Sequence, residues 1–243
     1  MLETVPSVHP VAPMSDINPP HPLLTMLEGR AALEAGGLML LLPLLRLNAV
    51  KGEDEPVMVL PGFMADDRST LVLRNFIASI GYQVYPWDLG VNRRPMLDYL
   101  PRLFQVAFDI RERTGCKLRM VGWSRGGILS RELAREAPEV VERVITIGSP
   151  VKGGVGASSI GRLVQRETGY TQAQITRMLA ERNRKPIRVP VRAIYSKSDG
   201  VVAWRACIDD QSSDVEHYEI AGSHVGMGTN AEVFRLVPRL LRD

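Results

Sequence analysis

Along the chain, apolar residues fall into two kinds of run, and the two kinds alternate. "VMVLPG", Val57 to Gly62, is a continuous apolar stretch closed by a Pro-Gly turn, the pattern of a strand buried on both faces. "STLVLRNFIASIG" then repeats apolar residues at Leu73, Phe76, Ile77 and Ile80, which predicts a helix ending at Gly81. "YQVYPW" reads as a strand, and "PMLDYLPRLFQVAFDIRERTG" sets Met96, Leu100, Leu103, Phe104 and Ala107 on one helical face. "LRMVG" is again of strand length, and "ILSRELARE" follows it with Leu129 and Leu133 four residues apart. "ERVITIGSP", "VPVRAIYSKSDG" and the shorter "EHYEIAGSH" are strand-like runs ending in turn residues, and "NAEVFRLVPRLLRD" is helical in pattern despite Pro238. This order predicts an α/β fold, a mostly parallel central sheet with helices on both faces, because parallel neighbours need crossover connections. Reactive groups are then expected at the carboxyl ends of strands.

Two segments break the alternation. Val151 to Arg188 has no strand signal but holds helical pieces such as "AQITRMLAER", which marks residues 151–188 as a short helical lid or cap insertion, or else an ordinary crossover. Ahead of the main domain at 56–243, residues 1–55 divide into a Pro-rich stretch, "MLETVPSVHPVAPMSDINPPHP", and an apolar helix. The Pro-rich stretch is expected to be extended or mobile, and it carries no basic region followed by an apolar core, which argues against a secretory signal. The apolar run "GGLMLLLPLLRL", Gly36 to Leu47, is shorter than the roughly 20 residues that span a bilayer and contains Pro43. A buried helix packed on the domain is one reading of it; an interfacial helix resting on lipid, giving peripheral membrane association, is the other.

Charge and cysteine content remove several functions. With 30 Lys and Arg against 27 Asp and Glu, the net charge of +3 is too balanced to indicate a nucleic-acid partner. The densest basic run, "RMLAERNRKPIR", reads as a solvated helix end, with a basic interaction patch as the alternative. Cys116 and Cys207 have neither C-x-x-C nor Cys/His metal spacing, so no metal site or disulfide framework is expected, and two thiols suit a reducing cytoplasm.

Chemistry concentrates at "LRMVGWSRGGILSREL". Gly122-x-Ser124-x-Gly126 lies where a strand turns into a helix, the setting of a nucleophile elbow that lifts a serine hydroxyl above a sheet. A glycine-rich turn with an incidental serine has the same spelling, so partners decide. A serine nucleophile needs a base and an acid to orient that base, here in the order Ser, Asp, His. Downstream, His224 follows a strand in "AGSHVGMG", whereas His217 lies inside "EHYEI". Asp199 sits just past a strand end in "YSKSDGVV", whereas Asp209, Asp210 and Asp214 lie in a polar stretch. Ser124, Asp199 and His224 are therefore the catalytic candidates, 75 and 25 residues apart. For the oxyanion hole, Arg125 supplies one N–H and the turn "PGFMADDRST" the other, through Phe63 or the neighbouring Met64.

The constellation "LPGF", "GWSRGG", "SKSDGVV" and "GSHVGMG", in that order, resembles the α/β-hydrolase superfamily, and more closely its bacterial lipase- and esterase-like serine hydrolases, from Pro56 to the C-terminus. The resemblance implies Ser124 as nucleophile, Asp199 as acid, His224 as base, Phe63 and Arg125 as oxyanion donors, and no cofactor. Lipases usually carry His-Gly where this chain has Pro61-Gly62, which keeps the backbone donors and loses the histidine side chain. "YPWDLGVNRRP" is also similar to lipase-like relatives, with Asp88 and Asn92 as loop-fixing residues or substrate contacts. Met64, Trp123 and Trp204 are the expected substrate-binding residues for a small-molecule or lipid ester. Hydrolysis of carboxylic esters is the expected activity; acyl transfer, thioester, amide or polyester cleavage with the same triad, and non-catalytic binding of lipid or a partner, are the alternatives.

Overall fold

In the computed structural model, which describes residues 17–243, six strands form one sheet. They are Pro56–Leu60 (β1), Gln83–Pro86 (β2), Leu118–Trp123 (β3), Val141–Ile147 (β4), Val191–Tyr195 (β5) and Val215–Glu219 (β6). Their order is β2-β1-β3-β4-β5-β6, and every neighbouring pair is parallel. Between them run helices Leu71–Ser79 (α3), Met96–Thr114 (α4) and Arg125–Glu136 (α5), with Ala231–Arg242 (α8) closing the chain. Most of the Pro-rich stretch expected to be extended, residues 1–22, lies outside the described residues.

Alternation along the strands divides the core into two layers. Met58, Leu60 and Met120 face α4 and α5, where they meet Leu103, Leu129 and Leu133. Val57, Val59, Val121 and Ile145 face the other way, against Phe76 of α3 and Phe234 and Val237 of α8. After β1 the chain first adds β2 on one side and then β3 on the other. That reversal opens a crevice at the carboxyl ends of β1 and β3, where the topology leaves room for a ligand.

The segment Val151 to Arg188 contributes two helices, Gly161–Thr168 (α6) and Gln172–Asn183 (α7), the second started by a reciprocal Thr171/Gln174 capping box. The basic run at the end of α7 is not simply a solvated face. Arg182 bonds Glu132 and pairs with Glu136, Lys185 bonds Glu136, and buried Arg135 bonds the Lys185 carbonyl and Asn183. These contacts bolt α7 onto α5.

The N-terminal apolar run differs from the buried helix expected. Pro22–Met26 (α1), a 3-10 turn Leu27–Arg30 and Ala31–Asn48 (α2) join into one helical unit of 27 residues. At 1.5 Å per residue this is about 40 Å, so the unit is long and apolar enough to cross a bilayer, unlike the run Gly36 to Leu47 taken alone. Only Leu38 of α2 is buried, whereas Leu33, Met39, Leu40, Leu41, Leu44 and Leu47 are exposed. A helix apolar on every side cannot bury every side against one domain.

Candidate active site

Ser124 occupies the corner between β3 and α5 with φ 53° and ψ −120°, a backbone conformation that L side chains rarely adopt. Two glycines make the corner possible. A Cβ on Gly122 would overlap the backbone of Gly127, and one on Gly126 would overlap the Leu60 carbonyl, so α5 could not start this close to β1 and β3 with larger residues. The Ser124 N–H bonds the Ile147 carbonyl at 2.7 Å, tying the corner to the end of β4.

Asp199 and His224 come from the loops after β5 and β6. His224 Nδ1 lies 2.6 Å from Asp199 Oδ2, and both side chains are buried. Asp199 Oδ1 accepts the N–H groups of Val201 at 2.8 Å and Val202 at 2.7 Å, which aims the second oxygen at the imidazole. The ring stands over the end of β4, where a Cβ on Gly148 would be 3.1 Å from His224 Nδ1, and its centroid lies 6.2 Å from that of Trp123, the residue before Ser124. The competing acids are engaged elsewhere, Asp209 with Arg131 at 2.6 Å, Asp210 with Lys152 at 2.7 Å and Asp214 with Arg192 at 2.8 Å. His217 stays on β6, where its Nε2 accepts the Asp209 N–H at 2.9 Å.

The turn after β1 packs against the nucleophile, with a Cβ on Gly62 falling 3.4 Å from Ser124 Cβ. Met64 donates its N–H to the Asn92 carbonyl at 2.9 Å, so that donor is spent and Phe63 is left as the candidate from this turn. Buried Asn92 braces the turn twice more, from its side chain to the Pro61 carbonyl at 2.9 Å and from its N–H to the Ala65 carbonyl at 2.8 Å. Arg125, first residue of α5, has an N–H that no intrahelical carbonyl can accept. Its guanidinium bonds the Arg94 carbonyl and lies 5.4 Å from the Phe63 ring centroid and 5.9 Å from that of Tyr99. Burial pulls its pKa down to about 10. The exposed Asp88 instead has its backbone held, since its N–H and that of Trp87 bond the Asp67 carboxylate, each at 3.1 Å.

Beside Ser124 opens an apolar cavity of about 770 Å³ including its mouth. Its walls come from Phe63, Met96 and Ile128 of the main domain and from Val164, Met178 and Leu179 of α6 and α7. Met64, Trp123 and Trp204 do not line it. Met64 points outward, Trp123 packs with the opposite core layer beneath Gly228, and Trp204 stacks on Tyr195 with ring centroids 5.9 Å apart. In each case the side-chain direction at that position, not its apolar character, decides.

A further acid was not legible as part of this site. Glu28 Oε1 accepts the N–H of Gly200 at 2.7 Å and of His224 at 2.9 Å, and Oε2 accepts that of Val225 at 2.8 Å. One carboxylate thus ties together the loops that carry Asp199 and His224. Glu34 adds the Ser223 N–H at 2.8 Å, and Arg30 bonds the Ser198 carbonyl at 2.5 Å. In the sequence these charges are visible only as interruptions next to an apolar run.

No protein-family model matches the chain, and no curated protein matches it. Solved structures do match. One from work on the metagenome-derived lipolytic enzymes LipS and LipT aligns at TM-score 0.60 with 19% identity over 80% of this chain and 94% of that one. Bacillus licheniformis lipase BlEst2 in mature form aligns at TM-score 0.60 with 16% identity over 80% and 94%. Mouse alpha/beta hydrolase domain-containing protein 10 aligns at TM-score 0.55 with 18% identity over 81% and 91%. The chain has the α/β-hydrolase fold, as the resemblance of its motifs implied.

Proposed function

We propose that this protein hydrolyses carboxylic esters with apolar acyl groups through an acyl-enzyme on Ser124. The observation that carries the reading is the buried His224–Asp199 hydrogen bond of 2.6 Å, together with a serine held at φ 53° on a strand-to-helix corner. His224 takes the Ser124 proton as the hydroxyl attacks the ester carbonyl, and returns it to the leaving alcohol. Asp199 holds the imidazole in the tautomer that leaves Nε2 free and stabilises the imidazolium that forms. Negative charge on the carbonyl oxygen is met by the N–H groups of Phe63 and Arg125, preorganised by the Asn92 brace and by the helix start. Water, activated by His224, then releases the acid. This chemistry asks for no metal or organic cofactor. The cavity walls are mostly apolar, which suits an acyl chain better than a charged or sugar-like group.

The test is hydrolysis of a p-nitrophenyl ester series from acetate to palmitate, beside an acyl thioester, by wild type and Ser124→Ala, with fluorophosphonate labelling of both. Turnover and labelling lost together in the variant are expected, with a preference for esters longer than acetate. A preference for the thioester moves the substrate class and keeps the mechanism. A wild type that neither labels nor turns over overturns the reading.

A further inference from the structure

We propose that the helical unit Pro22–Asn48 is an interfacial anchor that lies flat on an anionic lipid surface. Met26, Leu33, Leu40 and Leu47 recur every seven residues and are 79%, 79%, 83% and 76% exposed. Met39, Leu41 and Leu44, also exposed, widen this row. At about 100° per residue, the exposed apolar positions of α2 span an arc of about 200°. A helix from a second copy of the chain covers a narrower seam, two positions per heptad, and would leave much of this arc in water. A lipid surface covers all of it.

The other side of the unit rules out a membrane-crossing role. Glu28, Arg30 and Glu34 are held by the loops that carry Asp199 and His224, and Leu38, Leu42 and Leu45 pack into the core beside α8. The helix therefore stays on the body and meets lipid sideways. Charge gives the lipid its sign. Exposed Arg46 lies in the last turn of the unit and exposed Lys51 just past it, and exposed Arg235 and Arg239 of α8 rim an apolar groove formed with Leu41, Leu44, Leu45 and Phe234. Of the acids nearby, Glu53 and Glu55 pair with Arg242 and Asp54 accepts from Gln83, while Asp243 caps the end of α8 four residues past Arg239. Cations that form no ion pair among the described residues, beside an apolar face, match anionic headgroups above acyl chains. At the opposite end, Thr25 bonds the Gly200 carbonyl at 2.6 Å, next to Val201 and Val202 of the cavity wall. An apolar substrate dissolved in the lipid would so enter near the end of the anchor.

The experiment is sedimentation of the full chain with sucrose-loaded vesicles of phosphatidylcholine alone, or with phosphatidylglycerol added, at low and high salt. The variants are Leu33→Glu/Leu40→Glu/Leu47→Glu and Arg235→Glu/Arg239→Glu. Wild type is expected to partition at least tenfold better onto anionic vesicles, and less so in high salt. The leucine variant is expected to lose at least tenfold and the arginine variant most of the anionic preference. Unchanged thermal melting and p-nitrophenyl acetate turnover verify that the leucine variant is folded; melting alone suffices if the protein proves not to hydrolyse esters. Wild type that ignores both vesicles, or a leucine variant that binds as well, overturns the proposal. So does a solution dimer that the leucine variant dissociates while neither protein binds vesicles, since the face then serves a second copy.

Discussion

At the scale of single residues, the site is organised by backbone constraints as much as by reactive side chains. Ser124 is held where glycine is at ease, so the hydroxyl is presented at a conformational cost of about 1–3 kcal/mol. Ser124→Gly and Ser124→Ala should both abolish turnover, but the glycine variant should unfold at higher denaturant concentration, by about 1 kcal/mol; equal midpoints would show that the corner is unstrained. Glu28 never touches substrate in this reading and acts by holding the loops of the acid and the base. Glu28→Ala should lower kcat by about tenfold to a hundredfold with KM within about twofold, and slow fluorophosphonate labelling in step, because misplacing a base costs rate more than binding. A merely structural role would lower the melting point and leave kcat per folded molecule unchanged.

Elements give the site its walls. Helices α6 and α7 close one side of the cavity, and their inward residues set how much acyl chain fits. Met178→Trp, which adds bulk from α7, should move the optimum of the p-nitrophenyl ester series toward shorter chains while acetate turnover changes by less than about threefold. The end of α7 depends on Glu132, a buried acid that receives both Arg135 and Arg182. Glu132→Gln leaves buried Arg135 without a charge partner, takes one of two from Arg182, which keeps Glu136, and should destabilise the fold by about 3 kcal/mol in urea unfolding.

Across the whole molecule, buried charge sets the response to acid. Burial pushes the Asp209 carboxyl up, but Arg131 and hydrogen bonds from Ser212 and Gln211 outweigh it and hold the pKa at about 2. The unfolded value is about 3.9, so the folded state binds its proton later. The stabilisation, about 2 kcal/mol, is complete above about pH 4 and is lost as the pH falls toward 2. Urea midpoints measured between pH 5 and 2 should fall accordingly, and Asp209→Asn, less stable at neutral pH, should show a shallower decline.

What the amino-acid sequence determined by itself is the order of elements and the chemistry at their ends. Continuous apolar runs and a 3.6-residue period are local properties, so the six strands and helices α3, α4, α5 and α8 could be read directly, and Gly122-x-Ser124-x-Gly126 carries its own turn. Asp199 and His224 stood out because each follows a strand end in a tight turn, a signal that Asp209 and His217 lack. Tertiary structure decided what depends on direction and distance. Whether an apolar side chain lines a cavity turns on which way it points, so Val164 and Met178 form the wall while Trp123 and Trp204 pack elsewhere. Whether an acid is solvated or structural turns on which loop comes back to it, and for Glu28 those loops are more than 170 residues away. The exposed face of α2 is of the same kind: composition says only that the helix is apolar, and one domain has a single surface on which to bury one side of it.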